Sequence, residues 1–126
     1  MAKKVVDSEV KKLFALYTLK WCKKNLGVNK RKKPPKVLVR IRFYEEDDKN
    51  VVGMYISYSN KIIVYDLNCS SIEDVVSTVI HEYTHYLQPW RKYWEYFKTH
   101  YYSTHPYEKQ ARKNENTTIY SYKRHS

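Results

Sequence analysis

Three residues near the middle of the chain have types and a spacing that suit metal chemistry. The stretch VIHEYTHYLQ, residues 79–88, places His81 and His85 four residues apart with Glu82 beside the first. On an α-helix, residues four apart lie on one face, about one turn from each other. Both imidazoles can then bind one zinc ion, and Glu82 can act as general base toward a water that the metal activates. The pattern predicts zinc-dependent hydrolysis of peptide bonds.

A catalytic zinc usually needs a third protein ligand and an open fourth position. The candidates are Glu108, His100 and His105, which lie 23, 15 and 20 residues after His85. We favour Glu108, because a carboxylate in the first turn of a second helix, packed against the motif helix, completes such a site. His105 and Pro106 would then form the start of that second helix. Glu95 and Glu115 are weaker candidates.

The motif helix has its own start and stop signals. Ser71 and Asp74 form a near-capping box at the start of CSSIEDVVSTVIHEYTHYLQP, and Pro89 marks a stop or kink. Five apolar residues recur at helical spacing before and beside the motif: Ile72, Val75, Val76, Val79 and Ile80. This stripe would bury the back of the helix that carries the histidines.

The remaining elements predict one α+β domain over residues 1–126, with a helix, a small sheet and then further helices. Helical spacing and a stop at Gly27 predict a first helix over about 8–26; its spaced residues are Val10, Leu13, Phe14, Tyr17 and Trp21. A basic connector, NKRKKPPK (29–36), follows. Three strands, KVLVRIRFY, VVGMYISY and KIIVYDL, predict a mainly antiparallel sheet with a hairpin turn at Ser59–Asn60. The segments WRKYWEYFKTHYY and STHPYEKQARKNENTTIYSYKRHS read as helices, the second with a Ser/Thr cap and fraying toward its basic end.

The charge of the chain is large and uneven. The net charge is +11, with +12 on residues 1–42, −6 on 43–88 and +5 on 89–126. Such a field favours nucleic acid or an acidic partner, although a solvated basic surface is an equally good interpretation. The two cysteines, Cys22 and Cys69, are too few for a disulfide framework and are expected as free thiols, with a bridge between them left open.

Location and origin are only weakly indicated by the sequence. No apolar run approaches a membrane span, and MAKKVVDSEVKK lacks the apolar core of a signal peptide. A cytoplasmic protein is therefore expected, or one of the host cytoplasm or virion if the source is a virus or phage. The abundance of Lys, Asn, Tyr and Ile fits an AT-rich genome of this kind.

HEYTH, followed after an aromatic segment by Glu108 in HPYEKQAR, resembles the gluzincins, the thermolysin-like zinc metallopeptidases. The small size resembles their minimal forms, the minigluzincins, and small phage-type HExxH proteins with a PxExxA pattern. The resemblance covers roughly residues 37–115. It implies that His81, His85 and Glu108 bind zinc, that Glu82 is the base, and that an edge strand pairs with an extended peptide. The strand GMYIS is the first candidate, with Gly53, Met54 and Tyr55 as substrate-binding residues, and KIIVY is the second.

The chain departs from this family at several positions. Thermolysin-like enzymes carry an acid four residues after the glutamate ligand, where this chain has Arg112. Gln88 and Arg91 occupy the positions of the glycine and histidine that a metzincin would need. No residue is marked as the donor to the transition state; the candidates are Tyr101, Tyr107, Tyr120 and His105.

Two other interpretations remain open. The SprT/Spartan-like DNA-linked proteases take a histidine as third ligand, and His100 has a workable separation, although Tyr101 stands where a glycine usually follows. A less specific similarity, to ImmA/IrrE-type proteases, rests on HExxH with a later ExxA. The non-enzymatic alternative is a basic binding protein for nucleic acid or a viral assembly, with a structural or vestigial metal site.

Overall fold

The computed structural model describes residues 8–40, 51–88, 95–96, 98–100 and 105–113. Its elements in chain order are α1 (Ser8–Asn25), β1 (Lys36–Arg40), β2 (Gly53–Ile56), β3 (Lys61–Tyr65), α2 (Ile72–Leu87) and α3 (106–113). The predicted α+β class is confirmed. Most of the predicted aromatic helix over 90–102 and the end of the last one, beyond 113, lie outside the described residues. None of the helices within these ranges has the length and apolar character needed to cross a membrane.

The three strands form a mixed sheet in the order β1-β3-β2. The β2–β3 pair is the predicted antiparallel hairpin, and Asn60 takes the left-handed conformation in its turn, with φ of 54°. The expectation of a mainly antiparallel sheet is wrong at β1, which pairs parallel with β3 and aligns Lys36 with Lys61. Alternating apolar residues indicate a strand but not its partner. Here β2 occupies one edge of β3 through the hairpin, and β1 pairs with the opposite edge. Among the described strands, β2 is therefore at the edge of the sheet.

Helix α2 buries its apolar stripe, as predicted, and it packs against both α1 and the sheet. Val75, Val76, Val79 and Ile80 are buried, and Ile72 packs against the same core. Ser71 is the N-cap, and its Oγ accepts a hydrogen bond from the Asp74 N–H at 3.1 Å. The helix ends at Leu87 with Gln88 as its C-cap, one residue before Pro89. The back of the motif helix is thereby fixed in the core.

Helix α1 has the predicted bounds but turns an unexpected face inward. The row that gives it helical spacing includes Val10, Leu13 and Tyr17, and these side chains are exposed. The buried residues are Lys11, Ala15, Thr18, Leu19 and Cys22. Both cysteines of the chain are free and buried. Apolar residues occur all around α1, so their spacing alone did not identify the inner face.

The orientation of α1 is secured by a buried ion pair. The Lys11 ammonium donates to the Asp66 carboxylate and to the backbone oxygens of Asp66 and Cys69, at 3.1 and 3.0 Å. The Ser8 hydroxyl donates to the other Asp66 oxygen. Asp66 opens the 3-10 turn that leads from β3 toward α2. Because a buried ammonium needs such partners, these contacts fix which side of α1 faces the core.

The basic connector between α1 and β1 has no regular structure before Lys36, as predicted, yet its backbone is tied to α2 and the hairpin. Tyr83 Oη donates to the Gly27 carbonyl, and Tyr86 Oη donates to the Lys32 carbonyl at 2.8 Å. On the hairpin side, Asn60 Nδ2 donates to the Lys33 carbonyl at 2.7 Å. The two tyrosines of the HEYTHY stretch therefore hold the connector against the helix that carries the motif.

Candidate metal centre

Helix α2 presents His81 and His85 together on the side away from its apolar stripe. Their ring centroids are 5.0 Å apart. The two side chains are 15% and 10% exposed, so both rings are largely shielded while a path to solvent remains. This placement follows from their separation of four residues on one helix.

Glu108 reaches the same point from α3. Its carboxylate is 2% exposed, and its Oε1 lies 3.2 Å from Nε2 of His81 and 3.2 Å from Nε2 of His85. The ligand atoms of the three residues all lie within 4.8 Å of one another. Within the described ranges, no other group of three or more histidine, cysteine or acidic side chains converges in this way. Glu108, which the sequence favoured as the third ligand, is thus the candidate that lies beside the two histidines.

Two of the three distances between these atoms fit a zinc ion. Nitrogen and oxygen ligands at 2.0–2.1 Å from a tetrahedral zinc are about 3.3 Å from each other. The two observed separations of 3.2 Å match that value. Two imidazoles and one carboxylate are also the protein ligands of one common type of catalytic zinc site.

The hydrogen bonds around His85 also favour a cation at this point. Gln88 Nε2 donates to the Tyr107 carbonyl at 3.0 Å, which leaves Gln88 Oε1 to face His85 Nδ1 at 2.7 Å. Nδ1 must then carry the proton, and a neutral His85 has its lone pair on Nε2. That lone pair points at the carboxylate oxygen of Glu108, so the contact is repulsive unless a cation lies between them or a proton is added to the ring or to the Glu108 carboxyl.

Glu82 lies beside the three converging side chains and next to the sheet edge. The backbone N–H of Tyr55 donates to its carboxylate. Desolvation is the main cause of a raised pKa for Glu82, and the nearby Glu108 raises it further. His81, His85 and the Tyr55 N–H act in the opposite direction, so the net shift is upward. A carboxylate that holds a proton more readily than usual suits general acid–base work.

The outer edge of β2, which pairs with no other described strand, runs past Glu82. Tyr65 N–H donates to the Val52 carbonyl at 2.9 Å, so the alternation of the ladder directs the peptide groups of Met54 toward β3 and those of Gly53 and Tyr55 outward. Gly53 is needed here, because an added Cβ would lie 2.4 Å from Thr78 Cγ2 on α2. Of the three residues predicted for substrate binding, Gly53 and Tyr55 direct their backbone groups to the outer edge of β2, whereas Met54 directs its groups to β3.

The other sequence candidates have different surroundings. His105 is fully buried and caps α3, where its Nδ1 accepts the Tyr107 N–H at 3.1 Å and its carbonyl accepts the Lys109 N–H. This is the helix-start role predicted for His105 and Pro106, although Ser103 and Thr104, the predicted cap, lie outside the described residues. His100 Nδ1 contacts the Tyr96 carbonyl and Thr99 Oγ1. Glu95 is exposed, and Tyr101, Glu115 and Tyr120 lie outside the described ranges.

Sequence reasoning missed Gln88 and the two tyrosines Tyr83 and Tyr86. Gln88 contacts His85, where the family resemblance instead pointed to an acid at the position of Arg112. A glutamine three residues after the second histidine, at the end of the motif helix, was the available signal. For the tyrosines no local signal existed, because their partners lie more than 50 residues away in sequence.

Comparisons of the chain with protein-family models, with curated proteins and with solved structures gave no match.

Proposed function

We propose that this protein is a zinc-dependent metallopeptidase of the gluzincin type, with His81, His85 and Glu108 as the zinc ligands. The observation that carries the proposal is the convergence of two Nε2 atoms on Glu108 Oε1, both at 3.2 Å. The adjacent Glu82 supports hydrolysis rather than a purely structural site, because a structural zinc has four protein ligands and no base beside it. A structural or vestigial site is the alternative.

The zinc site, Glu82 and Tyr55 have separate roles in peptide hydrolysis. Zinc at such a site supplies Lewis acidity, which polarises a carbonyl and lowers the pKa of water. Glu82 accepts a proton from the attacking water and delivers it to the leaving amine. Its raised pKa, caused mainly by desolvation, favours the first transfer, because the carboxylate is then a stronger base toward water. The Tyr55 N–H holds the Glu82 carboxylate toward the strand that would carry the substrate.

An extended peptide is the substrate that the edge of β2 suits. The outward backbone groups of Gly53 and Tyr55 allow a peptide to add as a further strand, with its scissile bond beside Glu82. Pairing at the Tyr55 N–H would compete with the Glu82 carboxylate for that donor. We therefore expect substrate binding to loosen Glu82 from β2.

A basic surface beside β2 supports an acidic partner or an acidic stretch in the substrate. Lys32 Nζ donates to Tyr55 Oη at 2.8 Å and lies 5.2 Å from the centre of that ring. The neighbouring Lys30, Arg31 and Lys33 are exposed, and the sequence 27–36 holds no acidic residue. The same observation supports the alternative of a basic binding protein for nucleic acid. In that case neutralising these three side chains would abolish function, and Glu82→Gln would not.

Zinc content per chain, measured by elemental analysis, tests the proposal. We expect close to one zinc per chain in wild type, a loss of zinc in Glu108→Ala, and retention in the matched control His100→Ala. Loss with His100→Ala instead would support an SprT/Spartan-like site. A folded wild-type protein that takes up no zinc even from added metal would rule out the hydrolase.

A further inference from the structure

The side chain of Gln88 links the two helices that carry the metal ligands. It is buried at the C-cap of α2 and makes three contacts. Its Oε1 faces His85 Nδ1 at 2.7 Å, and its Nε2 donates to the Tyr107 carbonyl at 3.0 Å and to Gln110 Oε1 at 2.7 Å. Both acceptors belong to α3, and Tyr107 immediately precedes Glu108.

We infer that Gln88 is a positioning residue for the zinc site, which sets the tautomer of His85 and the placement of Glu108 with one amide. The inference rests on the proposed function, since both effects matter for a bound zinc. It assigns to a neutral glutamine within the motif helix the task that the family resemblance would give to an acid at the position of Arg112.

The two ends of the amide have separate effects. The oxygen end accepts the Nδ1 proton of His85, which leaves the Nε2 lone pair to act as a ligand. The nitrogen end restrains the backbone just before Glu108, so the carboxylate is held at the distance from His81 and His85 that zinc requires. A side chain that could not both donate and accept would supply only one of these effects.

The amide orientation is fixed by the surroundings. The Tyr107 carbonyl can only accept, so Gln88 must present its nitrogen there and its oxygen to His85. Burial strengthens these hydrogen bonds and excludes water as a substitute partner. Gln88 is therefore expected to hold the site in the same arrangement before and after metal binding.

Zinc affinity, measured by competition with a chromogenic chelator, tests the inference. Gln88→Met keeps the length of the side chain and removes every hydrogen bond; we expect a fall in affinity of about 10–100-fold. Gln110→Met removes only the exposed partner of Gln88 and is the matched control, with affinity close to wild type. Gln88→Glu restores the acceptor for His85 Nδ1–H but not the donor to Tyr107, so its affinity should fall between those of wild type and Gln88→Met.

Imidazole nitrogen NMR of the zinc-free protein gives a second readout that a general loss of stability would not produce. Wild type should show His85 protonated on Nδ1, whereas Gln88→Met should gain the Nε2-protonated form, because Glu108 Oε1 still accepts a proton there. Gln88→Glu should return the Nδ1-protonated form, and it serves if Gln88→Met does not fold. Unchanged affinity and an unchanged tautomer in a folded Gln88→Met would overturn the inference and leave the proposed function intact. A wild-type protein that binds no zinc would contradict both the inference about Gln88 and the proposed function.

Discussion

Helices α1 and α2 pack against each other, but they bury different kinds of side chain. α2 turns an aliphatic stripe inward and keeps His81 and His85 on the other side, where Glu108 of α3 meets them. α1 buries Lys11 and Thr18 with its small apolar residues, and leaves Leu13, Leu16 and Tyr17 exposed. The difference teaches that a helix with one apolar face can be oriented by hydrophobic burial alone. A helix with apolar residues all around is oriented by its specific polar contacts.

The largest effect is expected on the side of α2 that carries His81, Glu82 and His85. Glu82→Gln removes the general base while keeping the size of the side chain, so kcat/KM for peptide hydrolysis should fall by about 10²–10⁴-fold. The zinc content should not change, because Glu82 is not one of the three ligands. Glu73→Gln, an exposed acid in the first turn of the same helix, is the control. Full activity in Glu82→Gln would mean that Glu82 is not the general base.

The next largest effect is expected at the buried ion pair of α1. Lys11→Met leaves the Asp66 carboxylate buried without its cation, which should lower the free energy of unfolding by about 3–5 kcal/mol. Lys12→Met is the control. The Lys12 side chain is 41% exposed and only 3.6 Å from Glu9, a pair expected to contribute less than about 1 kcal/mol. Urea denaturation of the two variants measures the difference. Equal stability would show that hydrophobic contacts, and not this pair, orient α1.

Two leucines of α1 give a sharper comparison of its two sides. Leu19 is 7% exposed and Leu13 is 66% exposed. Leu19→Ala should cost about 2–5 kcal/mol, and Leu13→Ala should stay within about 0.5 kcal/mol of wild type. Because both variants replace leucine by alanine in the same helix, the change in helix propensity is the same and cancels in the comparison. If Leu13→Ala proved the more destabilising in thermal or urea unfolding, the apolar row read from the sequence would be the buried one.

The smallest effect is expected from Cys22, which faces the core from α1. Burial raises the pKa of its thiol from 9.0 to about 12. The stabilisation is complete below the unfolded pKa of about 9 and is lost as the pH rises toward 12, because only the unfolded chain releases this proton readily in that range. Between pH 9 and 10 the loss is at most about 1.4 kcal/mol. Urea unfolding at pH 8 and pH 10 should show a steeper decline for wild type than for Cys22→Val.

The pKa of the Cys69 thiol is raised as well, so its effect on stability should remain in the Cys22→Val variant. Its pKa is raised to about 11, chiefly by burial and then by Asp74. Cys22→Val should therefore still lose some stability above pH 9. Identical pH dependence of the two proteins would show that Cys22 ionises equally well in the folded and unfolded chain.

Local sequence signals determined the elements and half of the site. Spacing and caps placed α1 and α2 to within a residue or two, and the hairpin turn predicted at Ser59–Asn60 lies within residues 57–60, between β2 and β3. The positions of His81, Glu82 and His85 relative to one another needed only helix geometry. These features depend on residues a few positions apart, whose spatial relation is fixed once the backbone conformation is known.

The tertiary structure alone decided the rest, because the interacting residues are far apart in the chain. Glu108 was favoured over His100 and His105 on general grounds, but its meeting with the histidines depends on how α3 packs against α2. Lys11 finds Asp66 across 55 residues, and this pairing selects the buried face of α1. The parallel contact of β1 with β3 and the contact of Gln88 with α3 arise in the same way. No local pattern encodes such contacts, since they depend on the packing of whole elements rather than on the conformation of any one of them.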